Sequence, residues 1–462
     1  MFHFLRFLSV LIPVLMLSAC ISMGTQSAQP SMQLPDRFSQ SGSEITPSKW
    51  WLAFNDEYLN TLIEQALADN PGLLATWSRL EQARALARKS GALLQPGLDA
   101  SSDATRSWSK QTTNSSATQW TLGLTASYEL DLWGRLTSSR DAAVLDAEAS
   151  YEDIRAAAIS LSAQVAVAWF QLVDQRAQIS LLDDQYGTNE QHLELITVQF
   201  QTGAASASDV LQQRQTLERS RASKLLAESN EKVLEHQLAV LMGKPAGSIV
   251  LPRLQKLAGL PPQPATGIPA ELILQRPDVK KAFLLLQSAD RKLAAAIADR
   301  FPRVSLQASA STTDSTTADL FQNWAASLAG NLVMPLIDGG RRKAEVDRSQ
   351  AAHQELLHLY TERVLTAVQE VEDALIREQQ QQSYVENLAG QNSLLQSASG
   401  QIKDRYMHGS ETFLRFLTTL LSYQDLQRSE LQAQEQLIEY RISLYRALAG
   451  GWDINQPQEA DK

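Results

Sequence analysis

The 462-residue chain has few of the residues that enzymes and nucleic-acid-binding proteins depend on. It contains a single cysteine, Cys20, so no disulfide can form within it. None of its six histidines has a partner at the i, i+4 spacing that a helical zinc site requires, and P-loop, GxGxxG and GxSxG motifs are missing. A net charge of -10 without a basic run argues against nucleic acid as a partner. These absences predict no catalytic residues, no cofactor and no metal site.

The N-terminal apolar run is too short to cross a bilayer comfortably. After Arg6, "FLSVLIPVLMLSA" spans about 13 residues against the roughly 20 needed, which is the length of a signal-peptide core. We therefore predict a signal peptide at 1–19. The run ends in "LSAC", which resembles the bacterial lipobox, where the cysteine is acylated and becomes the mature N-terminus. That resemblance implies a lipid on Cys20, and Ile21 in place of aspartate implies sorting to the outer membrane.

Proline and glycine are scarce over long stretches, which predicts long helices. Residues 137–200 contain no proline and one glycine, and their apolar residues follow an i, i+3, i+4, i+7 stripe. A straight helix of that length would reach about 95 Å, more than a compact globule needs. Asp, Glu, Arg and Gln interrupt the run, which we interpret as excluding a transmembrane helix. Similar runs at 206–242, 341–405 and 410–449 predict two long helical hairpins with coiled-coil packing.

Landmarks recur along the chain at one offset of 206 residues, which predicts two tandem copies. The matching pairs are Pro71 and Pro277, Pro96 and Pro302, Gly134 and Gly340, Val165 and Val371, and Gly203 and Gly409. We place the copies at 57–250 and 265–450, joined by a proline-rich linker at 251–264. An extended N-terminal segment at 20–56 precedes them and a short tail at 451–462 follows. Each copy begins with a helix, at about 57–90 and 269–298.

Two alternating segments in each copy predict strand pairs, at about 98–133 and 303–337. In "WTLGLTASYELDLW" the apolar residues fall on one face and the polar residues on the other. This pattern fits a membrane barrel with lipid outside and water inside, and it fits a half-buried sheet, which the segments alone favour. Four strands are too few to close a barrel, since about eight is the minimum. A membrane barrel would therefore need two or three chains.

Motifs along the whole chain resemble the TolC-like outer-membrane channels of tripartite efflux pumps, in the lipoprotein subgroup similar to OprM and NodT. They include "WWLAFNDEYLNTLIEQALADNPGL", "YELDLWGRL", "FQTGAASASDVLQQR", "LILQRPDV" and "MPLIDGGRR". The resemblance implies a mostly α-helical homotrimer with membrane β-strands. Its twelve-stranded barrel, four strands per chain, would lie in the outer membrane of a Gram-negative bacterium and continue into a periplasmic α-helical barrel. It also implies a passive duct, not an enzyme, that exports drugs or other toxic solutes. Its partners would be a periplasmic adaptor and an inner-membrane pump of the RND type.

The same resemblance implies where the duct narrows and the adaptor docks. The helix tips of the family match the turns at Gly203 and Gly409. Asp209 at the first tip, and Asp404 and Glu411 at the second, are candidates for gating or docking. The family's "GVDNYLTLLDAQ"-like pattern is replaced here by "GSETFLRFLTTLLSYQ", so an aspartate gate does not transfer directly. The alternative for each acid is an ordinary interaction with a helix dipole.

We interpret "YELDLWGRL" and "MPLIDGGRR" as equivalent connections from a strand to a long helix, one in each copy. Trp133 suits either the membrane interface or tight packing at this junction, and Asp338 suits a helix cap. Two other functions remain open for the whole chain: the exit channel of a protein-secretion system, and a non-conducting coiled-coil lipoprotein that bridges envelope layers. The amphipathic strand pairs argue against the second, because a strut does not need them.

Overall fold

The computed structural model describes residues 34–43, 49–110, 114–254, 256–270, 275–448 and 452. The predicted signal peptide and Cys20 lie outside the described residues. Within them, a short 3-10 helix at Trp50–Phe54 precedes the following elements in chain order. They are α1 (Glu57–Asp69), α2 (Pro71–Ala92), β1 (Gly97–Lys110), β2 (Asn114–Leu130), α3 (Arg135–Gln201), α4 (Ala207–Leu241), α5 (Pro277–Ala298), β3 (Arg303–Asp314), β4 (Trp324–Val333), α6 (Arg341–Met407) and α7 (Phe413–Leu448).

The two halves of the chain repeat one order of elements. In each, a strand pair is followed by a helix of 67 residues, α3 or α6, and then by a returning helix of 35 or 36 residues, α4 or α7. The prediction of a mostly helical fold with two repeats is confirmed. The chain divides into two compact units, and each unit draws on both repeats. One contains the described residues of 78–152 and 280–363, including all four strands, and the other those of 34–77, 153–279 and 364–452.

The stripe predicted for α3 is a core stripe. Val165, Ala168, Trp169 and Leu172 are all fully buried. By length and composition, α3 is the only one of the described helices that could cross a membrane. In the apolar segment of α3 that meets this test, 67% is buried inside the protein. A buried core helix passes the same test, so the apolar character of α3 is explained by helix packing.

The first predicted helix is divided in two, which corrects the single helix expected at 57–90. Asn70 adopts an extended conformation (φ -65°, ψ 119°), because the proline that follows it disfavours the helical region. Its side chain then serves both neighbours. The Oδ1 atom accepts from the backbone N–H of Leu73 at 3.0 Å and caps α2, and Nδ2 donates to the carbonyl of Leu241 at 2.8 Å. In the second repeat Pro277 likewise opens a helix, α5.

An aromatic cluster in the second unit anchors the "WWLAF" segment. Trp50 stacks on Tyr445 with ring centroids 5.7 Å apart and donates from Nε1 to the Ser162 hydroxyl at 3.2 Å. Phe54 contacts Phe170 at 5.1 Å. Trp50 and Phe170 are almost fully buried. Because large aromatic rings remove the most apolar area from water, this cluster contributes strongly to the stability of the unit.

The four strands form one antiparallel sheet in the order β1-β2-β3-β4. The central pair, β2 with β3, joins the two repeats, because β2 belongs to the first and β3 to the second. Among the described residues neither β1 nor β4 has a strand on its outer side. Both edges therefore present backbone N–H and C=O groups that can pair with further strands.

Candidate functional site

The strand register sorts the side chains of the sheet onto two chemically different faces. Leu124 lies opposite Ala100 of β1 and opposite Ala310 of β3, and directly opposed residues share a face. Even-numbered positions of all four strands therefore lie together. Most of them are apolar: Leu98, Trp108, Trp120, Leu122, Leu124, Tyr128, Leu130, Val304, Leu306, Trp324, Leu328 and Leu332. The odd-numbered face carries Asp99, Ser101, Asp103, Thr121, Thr125, Ser127, Glu129, Ser305, Gln307, Ser309, Thr313, Ser327 and Asn331.

The apolar face is not covered within its own unit. Leu98 is 71% exposed, Trp324 75% and Leu328 80%. A half-buried sheet of an ordinary domain would pack this face against a core. An apolar surface that spans four strands instead marks a region that meets lipid or another molecule. The preference for an ordinary sheet, drawn from the strand segments alone, is wrong.

Aromatic residues lie near both ends of the apolar face. Trp120 and Trp324 lie toward the β1–β2 turn, and Tyr128 lies toward the start of α3. The eight steps from Trp120 to Tyr128 span about 27 Å along the strand, or about 20 Å in height at a tilt of about 40°. Transmembrane barrels have an apolar band about 25 Å tall between two aromatic girdles. The face has the dimensions of such a band.

The opposite face carries hydroxyl pairs that cross the strands. Thr121 and Thr313 bring their Oγ1 atoms to 3.1 Å between β2 and β3. Ser309 and Ser327 bring their hydroxyls to 2.8 Å between β3 and β4. Hydroxyls pair this way and still accept bonds from water, so this face suits an aqueous lumen.

At the first strand-to-helix junction, Asp131 caps α3. Its carboxylate accepts from the backbone N–H of Leu136 at 2.9 Å and of Thr137 at 2.7 Å. Burial raises the pKa of Asp131, but these hydrogen bonds and the charge of Arg135 outweigh it and leave that pKa below its ordinary value. The Arg135 guanidinium reaches back to Glu129 at 2.8 Å. The last residues of the strand and the first turn of the helix are thus joined by charged side chains.

Trp133 and Asp338 take the packing and capping roles at the two junctions. Trp133 stacks on Phe301 with centroids 5.0 Å apart and donates from Nε1 to the Pro302 carbonyl at 2.7 Å. It therefore packs at the junction between strand and helix. Asp338 accepts from the N–H groups of Gly340 at 3.1 Å and Arg342 at 3.3 Å, so its predicted role as a cap of α6 is confirmed.

Both long hairpins turn at a glycine with left-handed backbone. Gly203 (φ 79°) lies between α3 and α4, and Gly409 (φ 71°) lies between α6 and α7. Residues with a Cβ atom rarely adopt this backbone conformation, which explains why both turns use glycine.

The two hairpin tips pack into one apolar cluster, which sequence reasoning missed. It consists of Ile196, Val210, Phe413, Phe416, Leu417 and Leu420. Tyr406 stacks on Phe416 at 5.3 Å and donates its hydroxyl to Gln199 Oε1 across the tips. Aromatic residues at 406, 413 and 416 were the available sequence signal.

The candidate acids at the tips have local partners. Asp209 forms a capping box: its carboxylate accepts from Ser206 N–H at 2.9 Å, and its own N–H donates to Ser206 Oγ at 3.2 Å. Glu411 lies 3.4 Å from Arg415. Asp404 is in the last turn of α6, where its carbonyl accepts from His408 N–H. These contacts give Asp209 and Glu411 a local role in helix structure.

The charge of Asp209 at the first tip acts on Tyr406 at the second. Burial raises the pKa of Tyr406, and the nearby Asp209 carboxylate raises it further. On the other side of the cluster His192 packs edge-on against Phe416 at 4.9 Å. Burial, assisted by the charge of Lys403, lowers the pKa of His192 to about 4. The aromatic cluster therefore has neutral ring groups at neutral pH.

Three carboxyl groups meet inside the second unit, between α3 and α7. Burial raises the pKa of Asp174 to about 6, against a hydrogen bond from Gln178. Burial, then Glu439 and Asp174, raise the pKa of Glu435 to about 9. Asp174 Oδ1 and Glu435 Oε1 have no hydrogen-bond partner among the described residues. Among those residues no group of three His, Cys, Asp or Glu side chains has metal-site geometry. The raised pKa of Glu435 means that this carboxyl group keeps its proton at neutral pH.

The protonated Glu435 carboxyl group predicts a pH-dependent stability. A carboxyl group whose pKa is higher in the folded state keeps its proton where the unfolded chain has lost it. The free energy of unfolding should therefore fall as pH rises from about 4.5, the ordinary value, to about 9 for Glu435. Glu435→Gln, which has no proton to lose, should be more stable than the wild type at pH 8 and equal to it at pH 5. Thermal unfolding at both pH values measures the difference in stability between the two proteins. Glu190→Gln, at an exposed position of α3, serves as the control. If the unfolding temperatures of the wild type and of Glu435→Gln change equally with pH, the prediction is wrong.

A sheet with one lipid-type face, continued by long helical hairpins, defines a subunit of an outer-membrane channel. The chain belongs to the family described as "Outer membrane efflux protein", whose sequence model matches residues 62–244 and 268–450. Members of this family are channels and not enzymes, and the chain is an efflux channel of the outer membrane. The predicted resemblance is confirmed.

Relatives and solved structures match the chain over nearly its whole length. It is 30% identical over 473 residues to the pyoverdine export outer membrane protein OpmQ of Pseudomonas aeruginosa, covering 97% of this chain and 98% of that one. It is 28% identical to the cation efflux system protein CusC of Escherichia coli, covering 95% and 97%. Crystal structures of CusC align at 25% identity with a TM-score of 0.84, covering 93% of this chain and 100% of that one. The open state of the Neisseria gonorrhoeae MtrE outer membrane channel aligns at 27% identity with a TM-score of 0.82, covering 93% and 98%.

Proposed function

We propose that this chain forms the outer-membrane duct of a tripartite efflux system as a passive homotrimer. The observation that carries the proposal is the sheet, which exposes an apolar face and leaves both edges without a partner strand among the described residues. Four strands cannot close a barrel, whereas three chains supply twelve, above the minimum of about eight. Closure would satisfy both edges, turn the apolar face toward lipid and enclose the hydroxyl-lined face as an aqueous lumen.

Anchoring and partners complete the proposal. Residues 1–19 would be removed as a signal peptide, and Cys20 would carry the lipid. Repeats at 57–250 and 265–450, joined by the linker at 251–264, would each supply one strand pair and one hairpin. A periplasmic adaptor would dock at the tips and connect the duct to an inner-membrane pump of the RND type. The cargo would be drugs or other toxic solutes, a class consistent with relatives named for the efflux of cations and toluene.

Deletion and reconstitution test the proposed function. Cells that lack the chain should become sensitive to at least one toxic compound, and the purified protein should be a trimer that conducts ions in planar bilayers. Cys20→Ala should lose the attached lipid, measured by mass spectrometry of the N-terminus. Recovery of the wild type as a soluble monomer without lipid would refute the proposal.

Two variants of Asp209 separate docking from helix capping. Asp209→Asn removes the charge but keeps an oxygen that can accept from Ser206 N–H, whereas Asp209→Ala removes both. If the charge docks the adaptor, both variants should lose efflux, measured as increased sensitivity to the exported compound. If Asp209 only caps α4, Asp209→Asn should retain efflux and Asp209→Ala should lose about 1 kcal/mol of stability. Full efflux by Asp209→Asn would exclude the docking role.

A further inference from the structure

Arg106 is placed unusually on the sheet. It occupies an even-numbered position of β1, opposite Thr118 of β2, and so lies on the apolar face. Among the strand residues whose side chains the structure describes, it is the only cation on that face. A charge that points toward hydrocarbon is unfavourable near the middle of a membrane and becomes tolerable at its interface. The height of Arg106 on the sheet therefore decides what it can contact.

Arg106 lies just beyond the apolar band. The β2–β3 pairing ends at Trp120, opposite Asp314, whereas β1 and β2 continue pairing through Arg106 and Thr118. Arg106 is thus two residues, about 7 Å along the strand, past the row of Trp120. It is also on the side of the sheet away from the start of α3. In the proposed barrel, on which this step rests, that side is extracellular, and the position is the level of the outer-leaflet headgroups.

The surroundings of Arg106 supply hydrogen-bond donors and an apolar anchor. Its guanidinium lies 5.7 Å from the ring centroid of Trp108, a cation–π distance that orients it on the strand. Trp108 is 74% exposed, so its ring remains available to acyl chains. The hydroxyl residues Thr118 and Ser116 lie directly opposite Arg106 and Trp108 on the same face.

The carboxylate on the same face nearest to this end of the sheet is already occupied. Asp314, two strands away from β1, accepts from the N–H groups of Ser315 at 2.6 Å and Thr316 at 3.3 Å, and from Asn323 Nδ2 at 3.1 Å. It closes the turn between β3 and β4. Among the described residues no ion pair involves Arg106, so its guanidinium fork is available for an anion from outside the chain. Phosphate matches its geometry with two parallel hydrogen bonds.

We propose that Arg106, with Trp108 and Thr118, binds a phosphate group of the phosphorylated glycolipid of the outer leaflet, lipid A. Arg106 would hold the phosphate, the Thr118 hydroxyl would donate to it, and the Trp108 ring would contact the first carbons of an acyl chain. Three such sites would surround a trimer at the level of its extracellular rim and fix the height of the barrel in the membrane.

Native mass spectrometry of the purified trimer tests the site. Wild-type protein is mixed with bisphosphorylated lipid A, with dephosphorylated lipid A, or with inorganic phosphate, and bound lipid and thermal unfolding are measured. Phosphorylated lipid A should bind and raise the unfolding temperature, and the other two should not. Arg106→Gln should weaken binding about tenfold, because a charge-assisted hydrogen bond is lost. Arg106→Lys should weaken it less.

Matched variants and a functional readout keep the outcomes distinct. Arg348→Gln, an exposed arginine on α6, controls for loss of a positive charge elsewhere. Equal binding by Arg106→Gln and wild type, or equal binding of dephosphorylated lipid A, would overturn the site. Competition by inorganic phosphate would assign it to a free anion and also overturn it. If the Arg106→Gln trimer still conducts, the proposed duct is supported whether or not the lipid site exists. Failure of the wild type to form a trimer would instead contradict the proposed duct.

Discussion

Leu124→Arg is expected to abolish assembly in the outer membrane, whereas Thr125→Arg is expected to leave it nearly unchanged. Leu124 is central on the apolar face, opposite Ala100 and Ala310. An arginine facing lipid at the bilayer midplane costs about 2–4 kcal/mol, and a trimer would carry three copies. The sum is of the same order as the whole stability of a typical protein, about 5–15 kcal/mol. Thr125 lies on the opposite face, where the new side chain would reach water.

Membrane fractionation and gel analysis of unheated trimers measure this difference. The two variants add the same side chain at neighbouring positions, so each controls for expression and for the size of arginine. Equal amounts of assembled trimer would show that the two faces are not divided between lipid and water. A defect only in Thr125→Arg would place lipid on the hydroxyl-lined face.

Arg441→Ala should destabilise the second unit by about 3–5 kcal/mol, because it leaves a buried carboxylate without its cation. Arg441 is 2% exposed and Glu378 4% exposed. The guanidinium contacts both oxygens of Glu378, at 2.8 and 2.6 Å. It also donates to the carbonyls of Pro261 and Pro262. The substitution would therefore break the link between helices α6 and α7 and release the linker between the repeats.

The double variant Arg441→Met with Glu378→Leu separates the two causes of this loss. Replacing a whole buried ion pair with apolar residues of similar size is often neutral, since no charge remains buried. The double variant should therefore recover most of the lost stability, and the carbonyls of the linker would account for the remainder. Denaturant midpoints of detergent-solubilised protein and the amount of protein in cells measure both effects. A loss below about 1 kcal/mol for Arg441→Ala would show that the pair is screened by water.

Sequence alone determined the features that depend on near neighbours in the chain. The absence of proline and glycine identified the long helices, since these residues interrupt the hydrogen-bond pattern wherever they occur. The alternation around Leu124 and Thr125 separated the two faces of β2, because successive side chains point to opposite sides of a strand. The 206-residue offset revealed the repeat, and the two turn glycines marked where each hairpin reverses.

Only the tertiary structure decided which distant residues meet. Periodicity could not tell whether the apolar face of β2 meets a core or lipid, because it records polarity and not the partner. Nor could it pair Arg441 with Glu378, place Asp174 beside Glu435, or join Tyr406 to Gln199 by a hydrogen bond. These contacts join segments tens to hundreds of residues apart, so they depend on the path of the whole chain. The charge state of a buried group follows from that path as well, since burial is set by what packs around the group and not by its neighbours in sequence.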